Sequence, residues 1–252
     1  MKYFVQKKSI VRQIWGKSDT VLFIFAGAAA EFALNKAVDW LYFTGILPRD
    51  PLGRLFSTVN YARKIVFSEY DEALRTIDTI ALIHKGVENK RGATIPDWAY
   101  RDVLFMLIHY SIASFELLER KLSVTEKEEV FDVFYRFGNR MNLKGLPANY
   151  SEWLMVRKVD LEHDIEKSKY TTDLYKQYKL HLGNFRYRIL IEGQIMVVPE
   201  QVRRLLHFRK FSFLVPVLPL YKISRVLKMD GVIKSLILPP RYKKEIEQLD
   251  IA

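Results

Sequence analysis

The chain has no cysteine among its 252 residues. Disulfides, thiolate-held zinc, thiolate-held iron–sulfur clusters and thiol nucleophiles are excluded with it. Glycine and proline are scarce, at 11 and 9, which suits long helices better than many short strands joined by tight turns. No apolar run reaches the roughly eighteen residues that cross a bilayer. "VLFIFAGAAA" stops at Glu31, and "FLVPVLPLY" is broken by Pro216 and Pro219. The leading "MKYFVQKKSIVRQIW" lacks a continuous apolar stretch, so no secretory signal is expected and the location reads as cytoplasmic. Gly-x-Ser-x-Gly, a phosphate loop, His-Glu-x-x-His and repeated Glu-x-x-His are all missing. So are zinc-finger spacing, an aromatic RNA-binding signature and a basic heptad, which leaves no nucleic-acid partner in view.

What is present is a globular composition, 49% hydrophobic and 13% aromatic, with a net charge of +11. The cations are dispersed; the densest groups begin at Arg209, Lys222 and Arg241. A basic chain with short apolar runs leaves peripheral contact with an anionic membrane open. The stretch Phe211 to Tyr221, flanked by Arg209, Lys210, Lys222 and Arg225, suits either such an anchor or a buried turn.

Helix starts recur. Ser18 and Asp19 precede a long apolar segment running to Phe43, with a small-residue patch from Ala26 to Ala30 that lets another backbone or a flat ligand come close. Asp50-Pro51 caps and opens the next helix, and Ser68 with Asp71 the one after. Pro96-Asp97 begins a segment that is apolar nearly all round, which predicts a central helix. Ser123 with Glu126 forms a capping box; Asn149 or Ser151, then Thr171 or Thr172, then Pro199 start the later helices. An apolar helix is expected to end at "LILPPRY". No alternation long enough for a sheet occurs, so the fold is expected to be all-α, a single domain with its core on the helices from Asp19 to Leu122.

Two features point to a site. Arg54 falls in the first turn of its helix, where the macrodipole disfavours a cation, and Thr58 shares its face one turn on. Arg54 either reaches solvent or meets an anion there. His84 and His109 each lie on an apolar helix face, the first with Ile80, Ala81 and Val87, the second with Phe105, Met106 and Ile112. A buried imidazole needs partners for both nitrogens. One such histidine reads as ordinary core; two, with Arg54 and Thr58, shift the balance toward a pocket. Few acids fall at positions expected to be buried, which argues against a dinuclear carboxylate centre, whereas a haem needs only one neutral imidazole and an apolar slot. His163, His181 and His207 read as surface residues.

Taken in order, "DPLGRLFSTVNYARKIVF", "IHKGV", "GATIPDWAYRDVLFMLIHYS", "NLKGLPANYSEW" and "LILPPRYKKEI" resemble the haem-b oxygenase superfamily of latex-clearing (rubber) oxygenases and the fungal oxygenase of mycophenolic acid biosynthesis. The resemblance covers roughly residues 15 to 245, leaving 1–14 as an N-terminal extension and 246–252 as a tail. It implies a globin-like helical core around haem b. His84 would be the iron ligand and His109 the second histidine of the pocket wall. Arg54 and Thr58 would be the distal pair, and the small-residue helix, at Ala28, would lie against the macrocycle. Rubber oxygenases place a lysine just before the threonine; this chain has Ser57, too short and too weak a ligand to cap the iron. Those enzymes also use a glutamate base on the preceding helix, for which Glu31 is the nearest candidate. The chain is shorter than the rubber oxygenases and shows no export signal, so polymeric rubber is not the expected substrate. The expectation is an oxygenase acting with O₂ on an apolar small molecule (isoprenoid, fatty or aromatic). A haem protein without turnover, for sensing or storage, and a haem-less helical scaffold binding a membrane or partner surface are the alternatives. No protein partner is predicted.

Overall fold

The computed structural model describes residues 2–227. They form an all-α fold; among them the only β pairings are two isolated bridges, Tyr3 with Glu69 and Asn35 with Ile165. The expected helix end at "LILPPRY", the basic group at Arg241 and the tail lie outside the described residues.

Local chemistry sets most boundaries. Helix α1 (Ile10–Trp15) is capped by Ser9. Helix α2 (Ser18–Phe32) does not continue to Phe43 as its apolar pattern suggested. Asn35 intervenes: its side-chain oxygen accepts from Ala37 N at 2.8 Å and its amide donates to Asp102 at 2.7 Å. A short polar side chain that bonds its own backbone competes with helix propagation. The chain restarts as α3 (Val38–Phe43) and α4 (Ile46–Arg49).

Asp50 then caps α5 (Pro51–Phe67), accepting from Gly53 N at 2.9 Å with Pro51 in the first turn. Helix α6 (Tyr70–Arg91) closes on Gly92, whose φ of 68° is the left-handed geometry that glycine adopts without steric penalty. Helix α7 (Asp97–Leu118) is the central helix its composition implied, with Phe105, Ile108 and Tyr110 fully buried. Its buried Ser111 accepts a bond from Trp15 Nε1 at 3.1 Å, which ties α1 to the core. The Ser123–Glu126 capping box opens α8 (Val124–Arg140), and Asn149 caps α9 (Tyr150–His163). Ser168, three residues ahead of the expected start, caps α10 (Lys169–Val197) through Thr171. Gly183 leaves helical geometry with φ 70° and ψ 170°, and Tyr175 OH bonds Gln194 Oε1 at 3.0 Å, so the two arms of α10 fold back on each other. Helix α11 (Glu200–Leu205), a 3₁₀ turn (Val215–Val217) and α12 (Leu218–Val226) complete the described chain.

The core is wider than the helices from Asp19 to Leu122. Phe4 and Val5 at the start, Val130 and Phe134 on α8 and Trp153 on α9 join it. Within it α2 packs most extensively on α7, and α5 on α6, while direct contact between these two pairs is sparse. The α2–α7 seam depends on Gly27. A Cβ there would lie 2.2 Å from the ring of Tyr110, which is fully buried. Ordinary close packing therefore accounts for Gly27 itself. Gly27→Ala is expected to lower stability by about 1–3 kcal/mol through overpacking, read as a fall in Tm, despite the gain in helix propensity.

Candidate functional site

Helices α5 and α6 bring Arg54 and His84 together. The N-terminal half of α6 buries its apolar stripe completely, with Ala73 and Ile77 at 0% exposure. From Ile80 on, the same stripe is only half-covered: Ile80, Ala81, His84 and Val87 all keep accessible surface. His84 sits in this half-covered stretch. Its Nδ1 is buried and has no hydrogen-bond partner, and its ring meets the Tyr100 ring edge-on at 5.1 Å. Desolvation, and then the charge of Arg54, hold the imidazole below its ordinary pKa; the Ile80 backbone and Glu88 oppose this. His84 is therefore neutral at pH 7, the form that ligates a metal.

Arg54 is itself desolvated, which pulls its pKa down; Tyr61 acts the other way. Its guanidinium donates to Thr58 Oγ1 at 2.7 Å, and that hydroxyl donates to the Arg54 carbonyl at 3.2 Å. Among the described residues no carboxylate forms an ion pair with Arg54. A desolvated cation held in place and lacking a counter-ion is suited to an anionic ligand group. Ser57, between the two, is exposed.

His109 belongs to a second group, centred on Glu31. The Glu31 carboxylate is fully buried. Its Oε2 accepts from Arg157 at 2.5 Å and from Tyr110 OH at 2.8 Å, joining α2, α9 and α7. Its Oε1 has no partner. Burial pulls the Arg157 pKa down, and Glu31 more than restores it. Desolvation, with the Arg157 charge behind it, lowers His109 to about 4, against smaller upward pulls from Glu31 and the Val197 backbone. As a residue His109 is half-buried. Ala28, on α2 one residue from the Tyr110 contact, is likewise half-buried. The two histidines thus answer to different charges, His84 to Arg54 and His109 to Arg157.

Sequence reasoning missed Arg157 and Tyr110, and it underestimated the buried acids: Asp19, Glu31, Glu88, Asp102 and Asp160 all lie within the interior. Arg157 stands among evenly mixed charges in "MVRKVDLEHD", and nothing in that pattern distinguishes it from a surface residue. Asp102, Asp160 and Asp164 each place one carboxylate oxygen within 4.8 Å of the others, close enough to hold a hard cation. Arg101 stands 3.5 Å from Asp160, and Asp102 Oδ1 and Asp160 Oδ2 have no partner. Desolvation and the charge of Asp164 push Asp102 up to about 7. The folded state thus binds a proton that the unfolded chain releases near 4, and stability falls as pH rises from about 4 to about 7. Asp102→Asn keeps an oxygen for the Asn35 amide and removes the ionisation. The Tm advantage of this variant over the wild type is expected to grow between pH 5 and pH 8.

A family model described as the ER-bound oxygenase mpaB/B'/rubber oxygenase catalytic domain matches residues 14–217. No curated protein and no solved structure matches the chain. No helix among the described residues is long and apolar enough to cross a membrane.

Proposed function

The chain belongs to the ER-bound oxygenase mpaB/B'/rubber oxygenase catalytic-domain family, and from that premise we propose that it is a haem b-dependent oxygenase of an apolar small molecule. The observation that carries this reading is the half-covered apolar stripe of α6 with His84 set in it, next to a desolvated Arg54 that has no carboxylate partner among the described residues. A flat apolar cofactor with carboxylate substituents would cover the stripe, take the imidazole lone pair and neutralise the guanidinium. On this reading the residues present fit haem b, which when bound supplies the redox chemistry with O₂.

The roles of the side chains follow from their surroundings. His84 would hold the metal through its neutral imidazole. Arg54, fixed by Thr58, would pair with a cofactor carboxylate or stabilise negative charge that develops on the reacting group. The Thr58 hydroxyl, already both donor and acceptor, could pass a proton over one hydrogen bond. Ser57 supplies no competing ligand. His109 and Ala28 would form the inner wall, excluding water. Glu31 is the candidate base through Oε1, its Oε2 being engaged by Arg157 and Tyr110.

The test is a visible spectrum of the purified protein with added haemin, followed by oxygen consumption against a panel of isoprenoid, fatty and aromatic compounds. A Soret band with substrate-dependent uptake supports the oxygenase. A Soret band without uptake assigns a sensor or store, and no Soret band leaves a helical scaffold.

A further inference from the structure

The last described segment is built in the reverse sense of a surface helix. Such a helix ordinarily turns its apolar face inward and its charges to water. On α12 the polar groups face the body: Tyr221 OH donates to Asp19 at 3.0 Å, and Arg225 pairs with Asp19 at 3.2 Å and Glu119 at 2.5 Å. Leu220 and Ile223 face out at 67% and 56% exposure, as does Leu227 at the helix end, at 62%. The turn before it is similar. Glu192 of α10 pins it by accepting from Arg209, from Ser212 Oγ at 2.8 Å and from Phe213 N at 2.7 Å. Phe211 and Phe213 are left 70% and 74% exposed. These anchors hold the apolar groups outward, and the segment does not form the buried turn that was one of its two sequence readings.

Charge identifies what this face meets. Residues 201–227 contain no aspartate or glutamate, and they carry Arg203, Arg204, Arg209, Lys210, Lys222 and Arg225. Lys210 is exposed, with its ammonium 5.5 Å from the Phe211 ring, and neither it nor Lys222 forms an ion pair among the described residues. Exposed phenylalanines bordered by uncommitted lysines on a segment free of acids match the acyl and headgroup layers of an anionic bilayer. We infer that the Phe211–Leu227 face docks this protein on an anionic membrane surface, peripherally, with Phe211, Phe213, Leu220 and Ile223 entering the interface.

The test is co-sedimentation of the full-length protein with phosphatidylcholine vesicles, with and without phosphatidylserine. The expected result is binding to the anionic vesicles alone, weakening as salt rises. Lys210→Glu with Lys222→Glu should weaken it at least tenfold, since each surface lysine is worth about fivefold. Phe211→Ser with Phe213→Ser should weaken it comparably, with circular dichroism unchanged because both rings already stand in solvent. Failure of the wild type to bind at any ionic strength would overturn the inference. So would binding that ignores both variants. A lower Tm in the Phe variant with lipid binding unchanged would assign the face to this chain's own residues 228–252. A dimer that the Phe variant dissociates would assign it to a second copy. Because lipid binding is the readout, failure here leaves the oxygenase reading standing, and the reverse holds as well.

Discussion

His84→Ala is expected to yield a folded protein that no longer retains haem. The variant should keep its helical circular dichroism and lose its Soret band. The fold does not depend on the imidazole: His84 lies on the half-covered part of α6, and its Nδ1 satisfies no partner. The cofactor would depend on it, because no other neutral imidazole stands beside Arg54 among the described residues. His109 is the rival ligand. It is desolvated more strongly, and the largest charge acting on it, that of Arg157, is already paired with Glu31, so no uncommitted cation stands there to meet a cofactor carboxylate. His109→Ala should therefore keep most of the haem and broaden or shift the band through a wetter pocket wall. Added imidazole should restore a low-spin spectrum to His84→Ala by entering the space left. Wild-type occupancy in His84→Ala, with loss in His109→Ala, would exchange the two roles.

Legibility in the sequence followed the range of the interaction. Features made within one turn were readable: the Asp50 cap with Pro51 and the Ser123–Glu126 box each have a local signature. The central place of α7 was readable because a helix apolar on all sides has nowhere else to go. The stop after Phe32 was not. It depends on Asn35 reaching Asp102, 67 residues away, and the apolar pattern ran straight across it. The buried Glu31–Arg157 pair is likewise set by tertiary contact over 126 residues. Charged side chains are seldom buried unless paired, and the partner of a buried charge leaves no mark on the local sequence. The stretch from Phe211 into α12 suits an anchor or a buried turn equally, and its local pattern does not decide between inward and outward. Its orientation rests on Asp19 and Glu119, both distant in sequence. For the candidate site, Arg54 and Thr58 were legible from a four-residue spacing plus the anomaly of a cation in a first turn. The coupling of Arg54 to His84 required the α5–α6 hairpin itself.

Arg54→Ala should leave haem in place and reduce turnover by about a hundredfold or more. The two effects separate because the cation has two prospective roles of unequal weight. As a partner for a cofactor carboxylate it adds one charge-assisted hydrogen bond among many apolar contacts, so its loss should lower occupancy only modestly. As a preorganised donor toward charge that develops during reaction, its loss should reach on the order of 3 kcal/mol in transition-state stabilisation. The guanidinium is already desolvated and held by Thr58 at 2.7 Å, so reorganisation costs little when that charge appears. Arg54→Lys keeps the charge and loses the planar fork and the geometry that Thr58 fixes. It should restore occupancy more fully than rate. Thr58→Ala should be milder than either, because it frees the guanidinium without removing it. The measurement is haem content by absorbance beside oxygen consumption at saturating substrate for each variant. Full activity in Arg54→Ala would remove this residue from the chemistry and leave it as a counter-ion to the cofactor. Equal loss of haem and activity would make it a binding residue alone. Only retained haem with crippled turnover fits a cation that acts on the reacting group.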